Sequence, residues 1–287
     1  MSISIRFLFF FCLISIGQTF LFKSKKTSVK IGSFNLRRYS ISKATSSPTA
    51  NANIAKILQR YDLVFLQEII DSSSDNRVIN QLLAHLQKQS RSNKYESVVS
   101  PQLGQTSYKE RLVFLHRTKS SKIQLLSSYV YNGSVSKEFE RPPFILHIKL
   151  SSFGPIILVG VHLKPENVEK EFRALRTVID QFKDQSSVIV LGDFNADCSY
   201  LNNKKKNDLR QNVFHDFQWL IDDKTETNLL QSCSYDRILV SNGLSQRKKI
   251  NWKANSNNTF PFDKKFHLTK EAAWNISDHY PVEVDIY

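Results

Sequence analysis

Residues 187–200 read SVIVLGDFNADCSY. The apolar run over residues 188–190, closed by Gly192, is typical of a strand that is buried in a sheet. Asp193 and Asn195 follow it directly. Because alternate side chains of an extended chain share a face, the carboxylate and the carboxamide are expected to lie side by side. The stretch therefore predicts a buried strand that delivers polar side chains to one site.

Apolar segments on both sides of this stretch predict further strands, over residues 28–36, 62–68, 111–117, 122–131, 144–150, 155–163, 236–240 and 281–287. Apolar residues at helical spacing predict helices over residues 51–61, 78–89 and about 166–183. The first helix joins two strands, and such a strand–helix–strand unit favours parallel neighbours. Many strands with few helices between them indicate an α/β or α+β domain with more than one sheet.

The N-terminal segment is typical of a secretory signal peptide. Arg6 precedes an apolar run over residues 7–17, which is too short for a membrane span. A buried N-terminal helix or strand is the alternative. We assign residues 1–20 to the signal peptide and residues 21–287 to a single domain, since no linker divides them. The mature chain of a secreted protein then keeps Cys198 and Cys233, which are most simply one disulfide.

The chain is strongly basic, with a formal net charge of +14 over 287 residues. Basic residues cluster at 23–26, 204–206, 247–249 and 264–265. Such a surplus predicts attraction to a polyanion, whether a nucleic acid, an anionic membrane or a glycan, and charge alone does not choose among these. Glycosylation sequons begin at Asn132, Asn257 and Asn275. The third is expected to be packed and unmodified.

Polar side chains interrupt or end most of the apolar strands. They are Asn35, Glu68, Glu110, His162, Asp193, Asn195, Asp236, Asp278 and His279. One polar residue at a strand end usually caps a turn. So many at separate strand ends predict a single acidic pocket that contains two histidines, provided that the strands are aligned.

The chemistry of these groups favours phosphate ester cleavage. Asn35, Glu68, Asp193, Asn195 and Asp278 offer hard oxygen ligands or orienting amides, which favours Mg²⁺, Mn²⁺ or Ca²⁺ over zinc or copper. A divalent ion with open positions binds a phosphoryl oxygen. The two histidines could supply a general base and a general acid, with the two remaining carboxylates free to orient them.

The order of the motifs resembles that of the deoxyribonuclease I family. The motifs are SFN (33–35), LQE (66–68), SYKER (107–111), VHLKP (161–165), GDFNADCSY (192–200), CSYDRI (233–238) and ISDHYPVEV (276–284). The resemblance covers the chain from about residue 28 to the C-terminus. It implies a four-layered α/β (α+β) sandwich of two stacked mixed β-sheets flanked by helices. It also implies a secreted, monomeric enzyme that hydrolyses double-stranded DNA with little sequence preference, gives 5′-phosphate ends, and uses Ca²⁺ with Mg²⁺ or Mn²⁺.

The resemblance also implies roles for particular residues. The metal and phosphate site would comprise Asn35, Glu68, Asp193, Asn195 and Asp278. The acid–base pairs would be His162 with Glu110 and His279 with Asp236. The DNA contacts would be Arg37, Tyr108 and Arg141. No membrane association is implied.

The chain also departs from the family pattern. Ile70, Gln105 and Thr106 stand where the family often carries groove-reading groups, so the DNA contacts are expected to differ. Pro142 replaces a glutamate that often follows the DNA-contacting arginine, and residues 222–232 form a shorter segment than their counterpart. Both changes put structural Ca²⁺ sites in doubt.

Further expectations follow from the comparison with the family pattern. Ser97 and Phe144 stand at positions that contact actin in the type member, so inhibition by actin is not expected. The basic charge balance favours chromatin or extracellular-trap DNA as a substrate. The alternatives are a phosphodiesterase or phosphatase of the same fold that acts on lipid headgroups, and a catalytically inactive DNA- or protein-binding relative. Retention of both histidines and every candidate ligand argues against the inactive relative.

Overall fold

The computed structural model describes residues 28–90, 92–118, 122–151, 153–182, 187–245 and 259–286. The signal peptide predicted over residues 1–20, the basic residues at 23–26 and 247–249, and the sequon at Asn257 lie outside the described residues. No helix in the described ranges is both long enough and apolar enough to cross a lipid bilayer.

The strands form two mixed sheets. Their bounds are β1 Val29–Ser40, β2 Leu63–Ile70, β3 Tyr95–Val99, β4 Arg111–Arg117, β5 Ile123–Val130, β6 Phe144–Leu150, β7 Gly154–His162, β8 Val188–Asp193, β9 Phe217–Trp219, β10 Asp236–Ser241 and β11 Val282–Ile286. The first sheet has the order β11-β1-β2-β4-β3 and the second β5-β6-β7-β8-β10-β9. β1 and β2 are parallel, as the strand–helix–strand unit predicts.

Helices cover the outer faces of both sheets. Their bounds are α1 Ile41–Ser46, α2 Pro48–Leu58, α3 Arg77–Gln89, α4 Val168–Asp180, α5 Asn203–Asp208, α6 Asn242–Ser245, α7 Phe262–Lys265 and α8 Lys270–Ile276. The predicted helix over 166–183 is α4, and it follows a 3₁₀ turn at Pro165–Asn167. Val168, Phe172, Leu175 and Ile179 form its buried stripe at helical spacing.

Three apolar clusters alternate with the two sheets. The central cluster contains Phe65 and Phe114 of the first sheet and Phe144 of the second, with ring centroids 4.8 and 5.4 Å apart along the series. A second cluster joins the first sheet to α2, α3 and α8, and a third joins the second sheet to α4. This is the expected four-layered sandwich of two stacked β-sheets flanked by helices.

Two glycines allow the sheets to approach closely around the strands that carry the site. A Cβ atom on Gly160 would lie 2.3 Å from the ring of Phe65 in the facing sheet. Gly192 has φ +150°, and a Cβ atom there would lie 1.8 Å from the Val161 carbonyl oxygen of the neighbouring parallel strand. Glycine at these positions therefore lets β7 and β8 bring their last residues, His162 and Asp193, into register.

The structure corrects two local expectations. Glu68 was expected at a strand end, but it lies inside β2 with φ +59°, at a break in the register between Leu66 and Ile69. This bulge turns the carboxylate out of the alternating pattern. Asn275 was expected to be packed, but it is exposed on α8. The prediction also missed β3, β9 and the short helices α1, α5, α6, α7 and α8.

Candidate active site

Asp193 lies at the centre of the site. It is the last residue of β8, only 2% exposed, and it pairs in register with His162 of β7 on one side and Asp236 of β10 on the other. Its Oδ2 atom is 3.6 Å from Nε2 of His162 and 3.6 Å from Nε2 of His279. Both Nε2 atoms therefore lie close to the same carboxylate oxygen.

Each histidine is oriented by a buried carboxylate. Nδ1 of His162 is 2.7 Å from Oε1 of Glu110, and Nδ1 of His279 is 2.8 Å from Oδ2 of Asp236. Both carboxylates are fully buried, whereas each histidine keeps a small exposed fraction of 6–7%. A carboxylate at Nδ1 places the basic or acidic nitrogen, Nε2, toward the centre of the site. The pairs expected from the sequence are both present.

The charges around the histidines favour their protonated forms. Burial and Arg141 oppose protonation of His162, but Glu110 and Asp193 together raise its pKa above the ordinary value. Burial likewise opposes protonation of His279, but Asp236 and Asp193 raise its pKa well above that value. Both imidazoles are thus held among negative charges before substrate or metal binds.

The pKa values of the carboxylates in the site shift in different directions. Burial raises the pKa of Asp236 to about 6, although His279 acts in the opposite direction. Burial also opposes ionisation of Asp193, but the neighbouring His279 and His162 lower its pKa overall. For Glu68, burial is outweighed by His162 and by the hydrogen bond from Asn35, so its pKa is lowered. Asp193 and Glu68 are therefore ionised at neutral pH and available to a cation.

Asn35 joins the two sheets at the site. Its Nδ2 donates to Oε1 of Glu68 at 2.9 Å and to Oδ2 of Asp193 at 3.1 Å, while its Oδ1 accepts from the backbone N–H of Arg37. Asn35 thus acts as an orienting amide between two carboxylates. Ser277 donates from Oγ to the Asn35 carbonyl oxygen at 2.6 Å, and this bond holds the segment before β11 against β1.

The donor set suits a hard divalent cation. Glu68 and Asp193 share the amide of Asn35, and buried Oδ1 of Asp278 has no hydrogen-bond partner among the described residues. An orphaned carboxylate oxygen beside an acidic pocket is expected where a cation binds. Ligand atoms of Asp193, Asp236 and His279 also lie within 4.8 Å of one another. Since Asp236 and Nδ1 of His279 already bind each other, the oxygen set is the better fit to Mg²⁺ or Ca²⁺.

The loop after β8 is fastened to the start of β10. Asn195 has φ +49° and lies beyond the end of β8. Its Nδ2 donates to the Leu163 carbonyl oxygen at 2.9 Å. Cys198 and Cys233 form the expected disulfide, with Cα atoms 5.9 Å apart. Asp197 accepts from the backbone N–H of Ser234 at 2.8 Å. The disulfide therefore ties the loop that carries Asn195 to the segment that leads into Asp236.

One basic cluster is partly internal. Lys206, in the basic run at 204–206, was expected to contribute to the positive surface, but it is 2% exposed and forms an ion pair with Asp197. Arg237 is also fully buried, 2.9 Å from Asp223. A buried cation beside a carboxylate supports the loop and contributes little to attraction of a distant polyanion. These two ion pairs leave the net charge of +14 unchanged, but they remove two cations from the basic surface.

The expected DNA-contacting residues surround the pocket. Tyr108 is 3.4 Å from Oε2 of Glu68 through its hydroxyl group, and Arg141 donates from Nε to the His162 carbonyl oxygen at 2.9 Å. Arg37 lies with its guanidinium 3.9 Å from the Trp274 ring centroid. Arg141 is only 6% exposed. It therefore positions the histidine strand as well as adding positive charge.

Sequence reasoning missed two cations beside these residues. Arg38 is exposed, its guanidinium lies 5.5 Å from the Tyr108 ring centroid, and its backbone N–H donates to Oε2 of Glu68 at 2.8 Å. Lys43 donates to three backbone carbonyl oxygens, of Leu36, Arg37 and Ile276. The Arg37–Arg38 doublet was the available signal for Arg38. Nothing local marked Lys43, because its bond to the Ile276 carbonyl oxygen joins residues 233 positions apart in sequence.

The segments where structural Ca²⁺ was in doubt hold internal hydrogen bonds. Oε1 of Glu140 accepts from the backbone N–H groups of Gln105 and Thr106, and Oε2 accepts from Lys164 at 3.1 Å. In the second segment, Oδ1 of Asp222 accepts from the Lys224 N–H at 2.9 Å. The loop that carries Tyr108 is thus held by side-chain hydrogen bonds and a lysine.

The chain is similar to known proteins over most of its length. The model of the endonuclease/exonuclease/phosphatase family matches residues 32–279. The chain is 38% identical over 264 residues to human deoxyribonuclease-1-like 1, covering 90% of this chain and 84% of the relative. It is 35% identical over 271 residues to bovine deoxyribonuclease-1, covering 90% and 92%.

Solved structures show the same fold at low sequence identity. A family protein from Leptotrichia buccalis superposes with a TM-score of 0.60 at 17% identity, covering 90% of this chain and 99% of that one. A mannosyl-6-phosphatase from Bacteroides thetaiotaomicron gives a TM-score of 0.56 at 14% identity. The fold alone therefore hosts different substrates. On the evidence of the family model and the more similar relatives, the chain belongs to the deoxyribonuclease I family within the endonuclease/exonuclease/phosphatase superfamily.

Proposed function

We propose that this protein is a secreted, divalent-metal-dependent endonuclease that hydrolyses phosphodiester bonds of double-stranded DNA with little sequence preference and leaves 5′-phosphate ends. The observation that carries the proposal is the pair of imidazoles whose Nε2 atoms each lie 3.6 Å from the same oxygen of Asp193. Two oriented histidines next to one position suit attack of water on a phosphate and departure of an alkoxide. The named activity of the relatives supports DNA as the substrate.

In this proposal the two histidines perform complementary proton transfers. One Nε2 accepts a proton from the attacking water, and the other donates a proton to the departing 3′ oxygen of the deoxyribose. Glu110 and Asp236 hold the two rings and stabilise the imidazolium form. Asp193 and Asn195, at and just after the end of β8, interact with the phosphate group.

A divalent cation completes the site. Glu68, Asp193 and Asp278 would hold Mg²⁺ or Mn²⁺, with Asn35 orienting the first two carboxylates. When bound, the ion acts as a Lewis acid that neutralises charge on the phosphoryl group. Ca²⁺ is proposed as the second ion required for full activity.

The surroundings of the site favour DNA over a lipid headgroup. Arg38 and Tyr108 contact Glu68, and Arg141 contacts the His162 carbonyl oxygen, so cationic and phenolic groups next to the catalytic pairs can contribute to binding phosphates and sugars. The surplus of basic residues favours polyanionic substrates such as chromatin or extracellular-trap DNA. The protein is proposed to act as a monomer, without actin inhibition.

The test is plasmid nicking by the purified mature protein with Mg²⁺, Mn²⁺ and Ca²⁺, alone and combined, with EDTA as the metal-free control. His162→Ala and His279→Ala should each lower the rate by about 10²- to 10⁴-fold. His215→Ala, at an exposed histidine outside the site, is the matched control. Near-normal nicking by either site variant, or full activity in EDTA, would refute the proposal.

A modified substrate distinguishes the two histidines. Replacing the departing 3′ oxygen with sulfur gives a leaving group that does not need protonation. The variant that lacks the general acid should regain activity on this substrate, whereas the variant that lacks the general base should not. Equal behaviour of both variants would contradict the division of roles.

A further inference from the structure

A cleft opens beside the two catalytic pairs, on the side formed by α8 and the segment before β10. Its volume is about 210 Å³, and its lining comprises Asn195, Tyr200, Asn228, Leu230, Gln231, Tyr235, Trp274, Asp278 and His279. We call it the Trp274 cleft. Because Asn195, Asp278 and His279 line it, the cleft is continuous with the position of the scissile phosphate.

Much of the wall of the cleft is formed by apolar and aromatic side chains, which are usually buried in proteins. Tyr200 is 44% exposed and Leu230 is 56% exposed, and they are among the few large apolar side chains exposed in the described part of the chain. The Tyr200 ring packs on that of Tyr235, with centroids 5.4 Å apart. Arg37 stacks on Trp274 at 3.9 Å and fixes the indole. The cleft thus presents oriented aromatic surfaces to the solvent.

The part of the lining away from Asn195, Asp278 and His279 is unsuited to a phosphate. None of the nine described residues that form the cleft is lysine or arginine, and the nearby Arg37 guanidinium stacks on the Trp274 ring. Apart from Asn195, Asp278 and His279, which belong to the catalytic site, the polar groups of the cleft are the neutral amides of Asn228 and Gln231 and the hydroxyl groups of the tyrosines. Aromatic walls with neutral hydrogen-bonding groups suit a nucleobase, since every base has a π face and a polar edge.

The volume limits the ligand to one such group. Sites for drug-sized ligands occupy roughly 300–1,000 Å³, so a cleft of about 210 Å³ holds a fragment of a substrate rather than a whole nucleotide chain. A single base attached to the sugar next to the scissile phosphate meets this limit.

We propose that the Trp274 cleft is a stacking subsite for one unpaired nucleobase adjacent to the bond that is cut. This inference rests on the proposed nuclease activity and adds a substrate preference to it. In a paired duplex the base lies inside the helix and must be unstacked before it can enter a pocket. The enzyme therefore cleaves faster beside a bulged, mismatched or single-stranded nucleotide than at the same bond in a fully paired duplex.

The experiment uses end-labelled duplexes that differ by one nucleotide. One is fully paired, and the other carries a single bulged base at a defined position. The readout is the ratio of the cleavage rates at the bond beside the bulge and at the same bond in the paired duplex. Base–aromatic stacking predicts a ratio of roughly 5 to 100 for the wild type.

Tyr200→Ala combined with Leu230→Ala should bring this ratio close to one. The matched control is Tyr129→Ala combined with Leu126→Ala, on two side chains that are 41% and 52% exposed on β5, outside the cleft. The control should keep the wild-type ratio. A ratio cancels any general loss of activity, and the exposure of all four side chains leaves the core intact.

A fluorescence measurement reports occupancy of the cleft without cleavage. With 2-aminopurine as the bulged base and EDTA present, wild-type protein and the β5 control should quench its emission by stacking, and the cleft variant should not. A wild-type ratio near one, a ratio unchanged in the cleft variant, or equal quenching by all three proteins would overturn the subsite while leaving the nuclease assignment intact. Absence of cleavage of every DNA would overturn both.

Discussion

Removing the disulfide should lower the stability of the protein by several kilocalories per mole without disabling the site. Cys198 and Cys233 are 35 residues apart in sequence. In the chain-entropy treatment, a cross-link over such a loop removes about 13 cal/mol/K from the unfolded chain, or about 4 kcal/mol at 25 °C. In a domain of this size, each kilocalorie moves the midpoint of thermal unfolding by about 2–4 °C. Replacing both cysteines with alanine should therefore lower Tm by roughly 8–15 °C.

The site should survive this change because other contacts hold the same segments. Asp193 pairs with Asp236 in the β8–β10 ladder, and Asp197 accepts from the Ser234 N–H at 2.8 Å. Plasmid nicking at 25 °C is therefore expected to remain close to wild type. The disulfide contributes mainly by restricting the unfolded chain, so its loss does not have to move the catalytic groups.

The assay is thermal unfolding of the mature protein followed by circular dichroism, with and without reductant. Reduced wild type should match the double alanine variant, and the variant should not respond to reductant. A Tm shift under about 2 °C would refute the loop-entropy reasoning. Loss of nicking at 25 °C in a folded variant would show that the bond positions the site directly.

Three further substitutions test other parts of the structure. Glu110→Gln keeps the side-chain volume but removes the negative charge at Nδ1 of His162. The pKa of His162 should therefore fall, and plasmid nicking should slow by about 10²- to 10⁴-fold. An unchanged nicking rate would contradict the orienting role of Glu110. Burial alone would raise the pKa of Glu283, but Arg60 and Lys30 lower it overall. Its contribution to stability is therefore present at neutral pH and is lost as pH falls below about 4. Glu283→Gln should cost about 1–2 kcal/mol in urea unfolding at pH 7 and much less at pH 3, and a pH-independent difference would contradict this. Gly192→Ala would place a Cβ atom against the Val161 carbonyl oxygen, at a residue whose φ is +150°, so the yield of soluble protein should fall sharply. Gly154→Ala is the milder control, because no atom lies within 4 Å of the added Cβ there.

The elements that the sequence predicts best are those with strong local periodicity. The apolar run before Asp193 gives β8, and the helical spacing of Val168, Phe172 and Leu175 gives α4. The short strands β3 and β9 were missed, because β3 is largely half-buried and β9 has three residues. Such segments become strands through pairing with a neighbour, which local sequence does not report.

The candidate site was likewise predicted in part from local sequence and in part only visible in the tertiary structure. Residue types alone indicate oxygen ligands and two histidines, and the motif order supplies the pairing of each histidine with a carboxylate. The bulge that turns Glu68 with φ +59° toward Asn35 was not visible, nor was the burial of Lys206 against Asp197. In both cases a partner distant in sequence determines the conformation.

The sequence by itself determined most of the strands, the longer amphipathic helices, the donor chemistry of the site and the family, because these depend on residue type and local spacing. Only the tertiary structure decided that Asp193 stands between both imidazoles, that Arg38 lies over Tyr108, and that exposed aromatic groups line a cleft beside His279. The physical reason is separation along the chain. Glu110 is 52 residues from His162, and Asn35 is 158 residues from Asp193, so these contacts exist only once two sheets pack face to face.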